Sequence, residues 1–300
     1  VIDKRYTIID LGSNSFHMLT VTKEEDGFSA FSKTKQKVRL ASGLDVNNNL
    51  NPTTIKTALN CLQTFRDELD TLQPEKILIT ATAALRLANN KQTFIQQAER
   101  ILQYPIKLIS GIEEAKIIYR GVAFTEQSQE QLLVIDIGGA STELIIGQGK
   151  HVLKAESLHM GSVTWLNNFF SDNQLNNDNF SRAIHRAKEI IQPHVKNYQE
   201  LNWSFCMGAS GTIQAVNEVN SKQQLKPHLT LSLLNQIKQQ CIDSQQIDEL
   251  IIDGLKESRQ AVFASGLAIL IALFESLGIE KITLSKGALR EGLISILLEK

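Results

Sequence analysis

The chain has 300 residues, 42% of them hydrophobic and 21% charged, with a formal net charge of −1. Near-neutrality gives no broad field for nucleic acid or an anionic membrane, so a polyanionic partner needs a local site. Three scattered cysteines and six histidines form no metal-type spacing and no HExxH pattern, and the opening residues do not read as a secretory signal, which points to a reducing, cytoplasmic setting.

In chain order, residues 6–10, 15–21 and 28–40 alternate or are rich in β formers and read as a three-strand meander. Within the third strand, Lys33, Lys35, Lys37 and Arg39 fall at period two. On a strand they share one face at ~6.6 Å spacing, either tracking a polyanion or guarding a sheet edge against aggregation. Asn51 and Pro52 then open a helix as N-cap and first-turn proline, with Ile55, Leu59, Leu62, Phe65, Leu69 and Leu72 as its apolar face. A strand at 76–80, helical sequence to about 102, a strand at 105–109 and a helix at 112–124 complete a βββαβαβα order.

After the polar connector TEQSQEQ the pattern restarts. Strands are expected at 132–138, 142–147 and 152–158, then helices, a strand at 203–207, more helices, a short strand at 281–285 and a last helix at 288–298. The apolar run AVFASGLAILIALF is shorter than the ~20 residues of a membrane span and reads as a core helix. The expected organisation is two similar α/β domains, residues 1–124 and 125–300, with the last helix crossing back onto the first. Two such halves facing each other put their leading turns in one cleft.

Those turns are IIDLGSNSFHMLT and VIDIGGASTELIIG, each an aspartate followed by a Gly/Ser-rich bend between two strands. Such bends expose consecutive backbone N–H groups and bind anions. Gly12, Ser13, Asn14 and Ser15 in the first, and Gly138, Gly139 and Ser141 in the second, are the candidate phosphate ligands. Neither is a P-loop, and β-type sequence follows the glycines where a Rossmann turn would open a helix. GASGT, with Gly208, Ser210 and Gly211, precedes a helix and offers a third anion seat at its N-terminus. It nearly matches the nucleophile elbow GxSxG, but Thr212 replaces the last glycine and no convincing His/Asp pair follows.

Seven segments, DLGSNSFHML, TATAALRLANN, SGIEEAKIIYRGV, VIDIGGASTELIIG, HMGSVTW, MGASGTI and GALREGL, occur in one order along almost the whole chain. Together they resemble the exopolyphosphatase / guanosine pentaphosphate phosphohydrolase (Ppx/GppA) family, and IGGASTE and MGSVTW are most similar to its guanosine pentaphosphate branch. The resemblance implies two ribonuclease-H-like domains of the actin, heat-shock ATPase and hexokinase type with an interdomain cleft. It also implies hydrolysis of a terminal phosphoanhydride, from guanosine pentaphosphate in the stringent response or from inorganic polyphosphate. Glu113 matches the family's catalytic glutamate, and Arg86 matches a family arginine able to clamp phosphate.

Asp10, Asp136 and Glu143 then crowd acid around a phosphate site. At an effective dielectric near 20, like charges 4 Å apart repel by about 4 kcal/mol. A divalent cation resolves the conflict, and oxygen ligands beside phosphate indicate Mg²⁺. Asp136 and Glu143 are its expected ligands, with Asp10 assisting. Lys286 departs from the family pattern before GALREG, where it would add a phosphate contact or narrow a base pocket. Expected partners are guanosine pentaphosphate or polyphosphate, a homodimer is the candidate assembly, and neither nucleic acid nor membrane is expected. The alternatives kept open are a mainly exopolyphosphatase activity, a superfamily ATPase or kinase, and a non-catalytic alarmone or polyphosphate sensor.

Overall fold

A computed structural model describes residues 4–25 and 27–299. The chain divides into two compact units, one running to Gly121 and resuming at Leu289, the other spanning Val122–Ala288.

Unit 1 opens with antiparallel strands β1 (Arg5–Leu11), β2 (Ser15–Glu24) and β3 (Gly27–Lys37). Strands β4 (Lys76–Ala81) and β5 (Ile106–Leu108) add in parallel beside β1, giving the order β3-β2-β1-β4-β5. Helix α1 (Pro52–Leu72) begins where Asn51 accepts the Thr54 amide at 2.8 Å and Pro52 pre-sets the first turn. Its buried face is Ala58, Cys61, Leu62, Phe65 and Leu69, at helical spacing.

Three sequence expectations change in this unit. Ile55, Leu59 and Leu72, expected on the apolar face of α1, are only half-buried, and the small Ala58 and Cys61 sit against the core instead. The helical stretch through residue 102 is broken into α2 (Ala83–Leu87) and α3 (Lys91–Leu102). The cause lies in LANN: Asn89 donates through N and Nδ2 to the Asn48 and Asn47 carbonyls, and Asn90 exchanges two hydrogen bonds with the backbone of Leu50. Side-chain amides that bind backbone elsewhere compete with helix continuation. The third strand also ends at Lys37, short of Leu40. Arg39 takes a left-handed conformation at φ 57°, and a short 3₁₀ turn follows at Leu40–Gly43. Lys33, Lys35 and Lys37 therefore share a face of β3, an edge strand, and Arg39 does not.

Helix α4 (Gly111–Glu126) leaves unit 1 after Gly121, and α10 (Leu289–Glu299) returns to it to pack on β1 and β4. Arg120 Nε donates to Ser295 Oγ at 3.0 Å across the α4–α10 contact.

Unit 2 repeats the plan. Strands β6 (Gln131–Ile137), β7 (Thr142–Gln148) and β8 (His151–Leu158) form the meander, β9 (Phe205–Gly208) and β10 (Thr283–Leu284) add in parallel, and the order is β10-β9-β6-β7-β8. Read from the third meander strand, both sheets run 3-2-1-4-5, the ribonuclease-H-like order of the actin-like fold. Residues Trp203 and Ser204, expected within β9, precede it, although Ser204 N still donates to Gln131 O at 2.9 Å.

Helices α5 (Ser162–Phe169), α6 (Asn177–Leu201), α7 (Gly211–Gln223) and α8 (Leu231–Asp243) surround α9 (Glu257–Leu277). At 21 residues α9 exceeds the uncharged run seen in the sequence and is long and apolar enough to cross a membrane by length alone. Burial decides its role: every residue from Phe263 to Phe274 is buried among the surrounding helices. Each large apolar side chain there contributes roughly 1.5–3 kcal/mol.

Candidate active site

In unit 1 the first bend follows Asp10, which ends up buried near the end of β1. The bend is tied down through its carbonyls. Ser13 O accepts from Ala41 N at 2.9 Å, and Asn14 O accepts from Val38 N and Arg39 N at 3.1 and 2.9 Å. A trans peptide sets its N–H opposite its C=O, so the amides of Asn14 and Ser15 point away from the segment at 38–41. Ser13 Oγ accepts the Ala84 amide at 3.1 Å, which fixes the start of α2 beside the bend.

Arg86, on α2, donates to Glu114 Oε2 at 2.5 Å and to the Ile109 carbonyl at 3.3 Å. Burial pushes the Glu114 carboxyl above the usual carboxylate range, against the pull of the Arg86 guanidinium. Glu113, one residue earlier in the first turn of α4, points to a different, more exposed partner. It pairs with Lys107 Nζ of β5 at 2.5 Å. The two neighbouring acids thus take different cations, and exposure separates their strengths. Side-chain exposure is 19% and 10% for Arg86–Glu114 but 59% and 38% for Lys107–Glu113. Breaking a buried pair costs about 3–5 kcal/mol, whereas an exposed pair contributes about 0–1 kcal/mol.

In unit 2 the strand register sets Asp136 of β6 directly opposite Glu143 of β7. Facing residues on an antiparallel pair project from the same side, so two carboxylates stand together. Glu143 is 1% exposed, and Ser157 of β8, opposite it in turn, donates to its Oε1 at 2.8 Å. The corresponding position in unit 1 differs, because β2 places His17 opposite Asp10.

The second bend is held by the N-terminus of α5. Gly138 O accepts from Ser162 N and Oγ at 2.9 and 3.2 Å, and Gly139 O accepts from Val163 N and Thr164 N at 2.8 and 3.1 Å. Helix-terminal amides lack intrahelical acceptors, and here the bend supplies them. By the same trans-peptide geometry, the N–H groups of Gly139 and Ala140 point away from α5. Contact is so close that a Cβ on Gly161 would lie 2.4 Å from Ala140 N and 2.5 Å from Gly139 C. Helix α5 is fixed in turn by α9, where Ser265 Oγ donates to Ser162 O at 2.6 Å. A Cβ on Gly266 would meet Thr212 at 2.7 Å and Ser162 at 3.4 Å, so this small residue lets α9 brace both α5 and α7.

The third bend, Gly208–Gly211, ends at the N-cap of α7. Ser210 Oγ accepts the Ile213 amide at 3.4 Å and is buried, which is capping work and leaves no nucleophile elbow. The Arg259 guanidinium of α9 lies directly over Gly211. Lys286, exposed, has its amide held by Glu126 Oε1 at 2.9 Å.

Within each unit the expected residues are brought together. Asp10, Gly12, Ser13, Asn14, Ser15 and Arg86 gather around β1 and α2, with Glu113 at the start of α4. Asp136, Gly138, Gly139, Ser141 and Glu143 gather around β6–β7, and Gly208 ends β9 with Ser210 and Gly211 just after it. Among the described residues no cluster of three His, Cys, Asp or Glu side chains forms. The Asp136–Glu143 pair nevertheless fits Mg²⁺, which takes one or two carboxylates and completes its shell with water and phosphate oxygens. Sequence reading missed Lys107, His17, Ser157 and Arg259. Arg259 carried no signal beyond a basic residue in the first turn of an apolar helix.

Comparisons with known proteins agree with this architecture. A sequence profile described as the Ppx/GppA phosphatase family matches residues 20–300. The chain is 47% identical over 293 residues to the guanosine-5'-triphosphate,3'-diphosphate pyrophosphatase of Aeromonas hydrophila, covering 98% of this chain and 59% of that protein. It is 48% identical to the protein of the same name from Vibrio parahaemolyticus, covering 96% and 58%. The chain thus spans somewhat under three-fifths of the length of these relatives. An exopolyphosphatase structure from Cytophaga hutchinsonii superposes with a TM-score of 0.88 at 25% identity, over 99% of this chain and 98% of that one. The Aquifex aeolicus PPX-GPPA enzyme shares the fold at a TM-score of 0.78 and 21% identity, over 97% and 99%. With two like-ordered sheets, a duplicated Asp-x-Gly bend and a profile match over nearly its whole length, the chain belongs to the Ppx/GppA phosphatase family.

Proposed function

We propose that this chain hydrolyses the terminal phosphoanhydride of guanosine pentaphosphate, releasing phosphate and guanosine tetraphosphate. The observation that carries the reading is in unit 2: a bend whose free-facing amides stand next to the Asp136–Glu143 carboxylate pair. Oriented N–H groups bind phosphoryl oxygens without reorganising during reaction. Mg²⁺ held by Asp136 and Glu143, with Asp10 assisting, would supply neutralisation of the phosphoryl oxygens. The outward-facing amides of Asn14 and Ser15 and of Gly139 and Ala140, the bend residues Gly12, Ser13, Gly138 and Ser141, and the Gly208, Ser210 and Gly211 turn at the head of α7, with Arg86, would grip the phosphate chain.

Glu113 is the general base. It takes a proton from water as the water oxygen bonds to the terminal phosphorus. The bridging P–O bond breaks, and its electron pair leaves with the remaining phosphate chain. Positioned base catalysis of this kind contributes roughly 10²–10⁴-fold. The three cysteines are buried and unpaired, which supports a reducing cytoplasmic setting.

A second substrate, inorganic polyphosphate, is favoured by the exposed row of Lys33, Lys35 and Lys37 on β3. Phosphate release from guanosine pentaphosphate, polyphosphate and ATP, measured side by side with and without chelator, tests both readings. E113Q should abolish release from the preferred substrate. Release from none of them by the parent protein in Mg²⁺ would sink the assignment.

A further inference from the structure

We infer that Lys107 is an exchangeable counter-ion of the reaction: it pairs with Glu113 in the substrate-free protein and transfers to an oxygen of the terminal phosphate when substrate arrives. This rests on the reading of Glu113 as the base. The starting observation is the division of labour at the head of α4. Glu114 turns inward to the half-buried Arg86 and forms a fixed anchor, while Glu113 turns outward to a lysine that keeps most of its exposure. Only the second pair can be broken without stranding a charge in a dry interior.

Strand register supplies the second observation. Lys107 of β5 lies opposite Thr80 of β4, and Thr80 lies opposite Asp10 of β1, so the three occupy one row across the sheet of unit 1. The lysine therefore projects from the same sheet face as the aspartate that introduces the first bend. Its flexible four-carbon stem carries a point charge with three donors. While Lys107 Nζ occupies Glu113 Oε1 at 2.5 Å, that oxygen is engaged and does not take a hydrogen bond from an attacking water. A chain-end phosphate, carrying more than one negative charge, competes for that ammonium and leaves the carboxylate ready to accept a proton from water. Base release is thereby tied to occupancy, and water in the empty site meets a masked base.

The test uses K107M, which keeps the stem and removes the charge at an exposed position where folding is not at stake. Inorganic tripolyphosphate binding, followed by calorimetry, should weaken roughly tenfold, the loss of one charge-assisted contact. The salt dependence of that binding should become shallower, and K107R should restore both. Under turnover, KM should rise by a similar factor. Unchanged tripolyphosphate affinity and an unchanged salt slope in K107M would overturn the inference, as would a fall in kcat with KM unaltered. Retained hydrolysis in E113Q would overturn the underlying base assignment, and the binding experiment distinguishes that failure because it needs no turnover.

Discussion

Replacing Gly161 by alanine is the sharpest probe of how the second bend is built. Its backbone is extended at φ −152°, so any residue could adopt the conformation. The restriction is space. The added methyl would sit 2.4 Å from Ala140 N, 2.5 Å from Gly139 C and 2.6 Å from Gly139 O, about 1 Å inside ordinary van der Waals contact. All three atoms are backbone, so no rotamer change relieves the overlap. Either α5 backs away, stretching the bonds that Val163 and Thr164 make to Gly139 O, or the bend moves by about that distance. Overpacking of this kind costs roughly 1–3 kcal/mol of stability, well within what a chain of this size tolerates. A displacement near 1 Å in a positioning element costs roughly 10²-fold in rate. The expectation for G161A is a folded protein, modestly less stable in thermal unfolding, with kcat on guanosine pentaphosphate down by about two orders of magnitude. Wild-type kcat in a folded G161A protein would refute the argument that the Gly139 and Ala140 amides are aimed by α5.

Other substitutions probe the remaining parts. D136N and E143Q should each weaken Mn²⁺ binding, followed by its electron paramagnetic resonance signal, by more than tenfold, whereas S157A, which only loosens the hold on Glu143, should cost about tenfold. The Glu114 carboxyl has a folded-state pKa above its ordinary value, so the folded state binds the extra proton and stability contributed by this group falls as pH rises from the ordinary carboxylate range. E114Q cannot ionise, and urea unfolding at pH 4.5 and pH 7 should show the parent losing ground to E114Q at the higher pH; the opposite trend would mean that Arg86 dominates. Leu270, fully buried in α9, should cost about 2–5 kcal/mol as L270A, with the unfolding midpoint lowered and KM for guanosine pentaphosphate unchanged.

The strands and their order were readable because each meander announces itself through β-rich alternation and each bend through an aspartate and glycines. Leu62, Phe65 and Leu69 of the α1 face and the N-cap at Asn51 were readable for the same local reason, whereas the burial of Ala58 and Cys61 in place of Ile55, Leu59 and Leu72 was not. What could not be read depended on partners distant in sequence. Nothing local says that Asn89 and Asn90 will bind the backbone at 47–50 and split a helix, or that Asn14 O will capture Val38 and Arg39 and end a strand early. The site follows the same division. The bend residues lie in contiguous motifs, whereas Lys107 comes to Glu113 in unit 1, and Ser157 and Arg259 come to Glu143 and Gly211 in unit 2, from other elements through register or helix packing. MGSVTW could be matched as a motif, but its work, donating helix-terminal amides to the carbonyls of a bend 24 residues earlier, is visible only in three dimensions.

The return of α10 to β1 and β4 makes unit 1 discontinuous, with all of Val122–Ala288 inserted between its two parts. During synthesis on the ribosome, β1 to β5 emerge early yet lack the helix that covers one side of their sheet. Val122–Ala288 is contiguous and can condense as soon as α9 and β10 are out. The earlier-made sheet must wait until residues 289–299 emerge, so β1 and β4 stay uncovered by α10 while all of Val122–Ala288 is made, a natural holding point for a chaperone.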